Sequence, residues 1–97
     1  MRDYEAMVIL DASMEDEKIE EAVSKVEALI KKNGGKIDKI DRWGKKKLAY
    51  PIKKQSTGYY GLFYFKSPED SIKEMDRVLR ISDDVMRHMF VRKERLK

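Results

Sequence analysis

The chain has 97 residues, enough for one domain and little more, and both its hydrophobic and its charged residues make up 41%, so a small core lies under a densely charged surface. It has no cysteine, which excludes a disulfide framework, cysteine nucleophiles and thiolate metal sites and suits a reducing compartment. No apolar run nears the roughly 20 residues that span a bilayer, and the opening MRDYEAMVIL lacks a signal peptide's apolar segment and cleavage site, so the expected location is the cytoplasm.

Residues 3–11 alternate as a strand. Tyr4, Ala6, Val8 and Leu10 share one face, and Met7 and Ile9 lie on the other. Ser13 followed by Asp16 fits a helix start. Ile19, Ala22, Val23, Val26, Leu29 and Ile30 then recur as one apolar stripe, and Asn33-Gly34-Gly35 supplies the stop. Residues 36–53 read as a long second strand. Its apolar phase shifts between Ile37 and Ile40, and Gly44 interrupts it, so a bulge or bend is expected near Gly44.

Residues 54–58 read as a turn and 59–66 as an aromatic third strand, antiparallel to the second. Tyr59, Phe63 and Phe65 are on one side of it, with Tyr60, Leu62 and Tyr64 on the other. Ser67-Pro68-Glu69-Asp70 opens a second helix with the stripe Ile72, Met75, Val78 and Leu79. Residues 85–92 form the last strand, with Met86 and Phe90 opposite Val85, Met89 and Val91. Residues 94–97 are a short basic tail, and residues 1–93 are one domain.

The order β-α-β-β-α-β is the ferredoxin-like split arrangement, an α+β fold with a four-stranded antiparallel sheet. Each helix has a single apolar stripe, so both are expected on one face. The other face is then left open with apolar side chains on it, which implies a partner. An open face and adjoining edge that receive a protein would use Met7, Ile9, Trp43, Tyr59 and Phe90.

The net charge is only +4 but is unevenly spread. Residues 1–30 hold nine acids against three bases. Residues 42–66 hold Arg42, Lys45, Lys46, Lys47, Lys53, Lys54 and Lys66 and no acid, and residues 87–97 hold five bases against Glu94. Solubility does not require 25 consecutive residues without an acid, whereas a polyanionic partner rewards such a block. Lysines neutralise phosphates, and nearby Trp43 and Tyr50 supply rings that stack on bases or line an interface. The expected RNA contacts are Arg2, Arg42, Lys45, Lys46, Lys47, Tyr50, Lys53, Lys54, Arg87, Arg92 and Lys93. Catalytic constellations are absent from the sequence: His88 is the lone histidine, and no Gly-rich phosphate loop follows a strand. Neither an enzyme nor a cofactor is expected.

The chain resembles the bacterial S-six family of small-subunit ribosomal proteins from its first residue to about residue 93. Arg2, Tyr4 and Glu5 fit that family's opening pattern. Leu48-Ala49-Tyr50-Pro51-Ile52, preceded by Gly44, Lys46 and Lys47, fits its most recognisable segment. Gly58-Tyr59, Pro68-Glu69 and Leu79-Arg80-Ile81 follow in order. Trp43 departs from the pattern, which has an aliphatic or other residue there in many members. The resemblance implies a structural ribosomal protein that binds the central domain of 16S ribosomal RNA, with the S-eighteen protein as heterodimer partner. An RNA-recognition motif shares the element order but needs a basic residue where Thr57 stands and a small one where Tyr60 stands. A sheet-dimerising small-molecule regulatory domain would instead need a Gly- and Asp-rich binding turn. An acylphosphatase-like enzyme would need a phosphate loop where residues 11–16 are acidic.

Overall fold

Strand β1 (Arg2–Asp11) pairs antiparallel with β3 (Gln55–Ser67) in one uninterrupted register, from Arg2 opposite Ser67 to Asp11 opposite Gly58. The computed structural model describes residues 2–52 and 55–93, the side chains of residues 49–52, 55 and 93 excepted. Within that range α1 spans Asp16–Lys32, β2 Lys36–Ile52, α2 Ser71–Ile81 and β4 Val85–Lys93. All strand pairs are antiparallel in the order β2-β3-β1-β4, as the ferredoxin-like reading requires. Residues 94–97 lie outside the described residues.

The alternation read from the sequence assigns the faces of both central strands. Tyr4, Ala6, Val8 and Leu10 pack with Phe63 and Phe65 under Ile19, Ala22, Val23, Val26 and Ile30 of α1 and Met75 and Leu79 of α2. Both helices therefore close the same side. The phase shift in β2 has its cause in two register breaks, between Ile37 and Lys39 and between Arg42 and Gly44. A bulge adds one residue and restores the helix-side phase, so Ile37 and Ile40 both face the core. Gly44, at φ +80°, supplies the left-handed conformation at the second break.

Four expectations change. Ser13 does not cap α1: its Oγ donates to the Asp11 carboxylate, and the helix starts at Asp16 with no side-chain cap. Ser67 is the buried last residue of β3. Its hydroxyl donates to the Pro68 carbonyl, and α2 begins only at Ser71, after a turn in which the Ser71 and Ile72 N–H groups reach back to Pro68 and Glu69. The β2–β3 hairpin is longer than expected, with pairing as far as Ile52 opposite Gln55. In β4 a register break near its start puts Val85 in the helix-side core on the side of Phe90, while Met89 and Val91 point the other way.

The open face carries a small core of its own. Ile9 is only 4% exposed although it points away from the helices. A Cβ on Gly58 would come within 2.5 Å of Ile9 Cγ2 and 3.2 Å of Leu48 Cδ2, so glycine is what lets these two side chains meet over the hairpin. Gly58→Ala should cost about 1–3 kcal/mol by overpacking. Ile9→Ala removes the obstructing methyl, so the double variant should lose less than the sum of the two singles in urea unfolding. Strict additivity would refute the contact.

Candidate nucleic-acid interface

The arm that projects the basic block is β2 past its second bulge. Lys45 lies opposite Tyr59, Lys46 opposite Gly58 and Lys47 opposite Thr57. Because β3 alternates faces without a break, Lys45 and Lys47 project on the helix side and Lys46 on the open side. All three are exposed, and among the described residues no carboxylate forms an ion pair with them. Tyr50 continues the strand, but its side chain, like Lys53 and Lys54, lies outside the described residues.

Other members of the block are engaged within the chain. Arg42 turns to the helix side and donates to Glu20 of α1. This hydrogen bond and charge hold the Glu20 carboxyl below its ordinary range and push the Arg42 guanidinium up. Lys66 bridges Asp38 on β2 at 3.4 Å and Asp3 on β1 at 3.7 Å. Further from the arm, Arg92 reaches Glu69 at 3.7 Å. Arg2 and Arg87 are exposed at opposite ends of the sheet, on β1 and β4, and the Lys93 backbone pairs with Asp3. The structure therefore gathers Lys45, Lys46 and Lys47 on one arm and disperses Arg2, Arg87 and Arg92.

The residues expected to meet a protein also divide. Met7 is half-buried on the open face between Leu62 of β3 and Met89 of β4. Ile9 shares that face but is covered by its own chain. Trp43 is 49% exposed and stacks on Tyr60, with ring centroids 6.5 Å apart and planes at 15°. Tyr59 and Phe90 pack on the helix side instead, Phe90 edge-on to Phe65 with ring centroids 6.3 Å apart. Sequence reasoning did not single out Met89 and Val91 for the interface, yet they are 47% and 42% exposed on the open face next to Met7 and Glu5. Correct phasing of β4 was the missing signal.

His88 ties β4 to α2, its Nε2 lying 2.7 Å from Asp76 Oδ1, and Arg80 donates to the same carboxylate. Among the described residues no group of three or more His, Cys, Asp or Glu side chains is arranged to hold a metal, and no helix is long and apolar enough to cross a membrane.

A β-α-β-β-α-β chain whose four-stranded antiparallel sheet has one face closed by two helices and the other left open belongs to the ferredoxin-like class of α+β proteins. The family model "Ribosomal protein S6" matches residues 3–92. The small ribosomal subunit protein bS6 of Carboxydothermus hydrogenoformans is 44% identical over 95 residues, covering 98% of this chain and 99% of that protein. The bS6 protein of a Clostridium botulinum strain is 45% identical over 94 residues, 97% of this chain and all of that one. A crystal structure of ribosomal protein S6 from Thermotoga maritima superposes with a TM-score of 0.91 at 33% identity, covering 95% of this chain and 87% of the other. The chain belongs to the ribosomal protein S6 family, whose members are structural ribosomal proteins and not enzymes.

Two outcomes test this geometry. Met7→Ser should change unfolding stability by less than about 1 kcal/mol, whereas Ile9→Ser should cost about 2–4 kcal/mol, since only Ile9 is fully buried. Equal costs in denaturant titration would contradict the burial difference. The second concerns Asp76, whose carboxyl is held below its ordinary value of 3.8, first by the hydrogen bond with His88 and also by Arg80. A depressed folded value adds stability that is present above the unfolded value and lost as pH falls through the folded one. Wild type should therefore exceed Asp76→Asn in thermal stability at pH 5, and the gap should shrink as pH falls below the ordinary value of 3.8.

Proposed function

We propose that this protein is a structural component of the small ribosomal subunit, at work in the cytoplasm, and that it binds the central domain of 16S ribosomal RNA together with the S-eighteen protein. The observation that carries the RNA contact is the exposed triplet Lys45, Lys46 and Lys47 on the β2 arm, three cations without a carboxylate partner among the described residues. Phosphates are the partner that such a cluster rewards, because each contact releases condensed counterions. Relatives named as small ribosomal subunit proteins, at 44–45% identity along nearly the whole chain, support the same reading. Tyr50, Lys53 and Lys54, which follow the triplet in sequence, are further contacts of this reading, with Arg2, Arg87, Arg92 and Lys93 as additional cations.

The partner protein covers the open face. Half-buried Met7 and exposed Met89 and Val91 form an apolar strip there, beside the buried Leu62 and Ile9. Two or three well-desolvated residues at the centre of an interface decide affinity. Tyr59 and Phe90 are outside this strip because their side chains pack on the helix side.

The arm is tested by replacing Lys45, Lys46 and Lys47 with Gln and titrating a central-domain RNA fragment at several salt concentrations, with the partner protein present. The slope of log affinity against log salt should fall by roughly two to three units. An unchanged slope and affinity would remove the arm from the RNA contact.

A further inference from the structure

We propose that Trp43, backed by Tyr60, is a stacking platform for one unpaired RNA base on the open face of the sheet. The inference rests on the RNA-binding reading above and names a subsite within it. It begins with the backbone. Trp43 follows Arg42, which faces the helices, and is the extra residue of the register break between Arg42 and Gly44, so it has no partner on β3 and lies next to the Gly44–Tyr60 pair on the open face. Gly44 takes φ +80°, and the space around its Cβ position is empty to 4 Å. The indole is thereby laid over Tyr60, whose ring belongs to the open face because Phe63 and Phe65 face the helices.

The result is a pair of nearly parallel rings, the outer one half exposed. An exposed indole on a sheet fits an apolar protein group or a nucleobase, and its surroundings decide for the base. Lys46 projects from the same face two residues beyond Gly44, with Lys45 and Lys47 on the other side of the same arm. The nearest carboxylate along the strand on this face, Asp41, is paired with Lys39 at 4.0 Å. A single-stranded nucleotide offers a flat π-face to the indole and phosphates on either side of it to the lysines, which an apolar protein side chain does not. The apolar strip around Met7 and Met89 lies toward the β4 side of the sheet, so partner protein and base occupy different parts of the open face.

Trp43 is the only tryptophan of the chain, which gives the test a direct signal. The preformed heterodimer, with any tryptophan of the S-eighteen protein replaced by phenylalanine, is titrated with a fragment of the 16S central domain. Indole fluorescence should be quenched as RNA binds. Trp43→Leu should weaken binding roughly ten- to a hundredfold, the usual range for loss of one stacked base. Trp43→Phe should keep most of the affinity, and both variants should keep the salt slope of wild type, since no phosphate contact is removed. Because Trp43 is half exposed, both variants should fold, which unfolding curves verify. Wild-type affinity in a folded Trp43→Leu overturns the platform and leaves the RNA-binding reading standing. So does fluorescence that responds to the S-eighteen protein and not to RNA, which would make Trp43 a protein contact. Absence of any RNA binding by wild type with its partner would remove both.

Discussion

The structure depends on the central position of β1. It lies between β3 and β4, so backbone groups along it are paired on both edges, and it has buried side chains on both faces, Tyr4, Ala6, Val8 and Leu10 on one and Ile9 on the other. Ala6 and Val8 go under the helices, and Ile9 goes under Leu48 over the Cβ-less surface of Gly58. A one-residue slip would exchange the two sets and put Asp3 and Glu5 on the side where Tyr4 and Ala6 are buried. The β1–β3 register accordingly runs without a break, and the irregularities fall in the flanking pairs: two bulges and the hairpin irregularity in β2, and one break where β4 meets Leu10. A sheet that cannot bend at its centre accommodates its curvature at its edges.

Those edges carry the surface chemistry. A segment free of acids in sequence is not free of them in space. Glu20 lies 22 positions from Arg42, and Asp38 lies 28 from Lys66, yet the packing of α1 on β2 and the pairing of β2 with β3 bring them together. Exposed pairs of this kind add little stability because water screens them. Their consequence here is selective. They take Arg42 and Lys66 out of the pool of available cations and leave Lys45, Lys46 and Lys47 as the positive charge of the described arm.

Features that follow from local periodicity were legible in the sequence. Element order, both faces of β1, both faces of β3 and the irregularity at Gly44 all come from a period-two pattern broken at a glycine. What was not legible needed either a competing local bond or a distant neighbour. Ser13 and Ser67 have the right chemistry for helix caps, but Asp11 and the Pro68 carbonyl engage their hydroxyls first. The phase of β4 was misread because the break near Val85 cannot be seen in VMRH, where apolar and basic residues fit either register. In the site, the grouping of the three lysines was readable from adjacency alone. The self-pairing of Arg42, the burial of Ile9 and the exposure of Met89 and Val91 required the tertiary arrangement.

A protein with one face sealed by its own helices has two surfaces left for recognition, the open sheet and the hairpin arm. Their mechanical character suits the proposed roles. Lys45, Lys46 and Lys47 are each paired with β3, opposite Tyr59, Gly58 and Thr57, so lysines that would be mobile on a loop are held at fixed spacing on a ladder. Less conformational freedom then remains to be lost when they meet phosphates, and preorganisation of this kind lowers the cost of binding. The open sheet presents its apolar strip on strands paired along their length, with Met7 of β1 opposite Met89 of β4. A structural ribosomal protein needs no cleft or catalytic group. It needs charges and apolar area held where the assembly expects them, and the central β1 is what holds both.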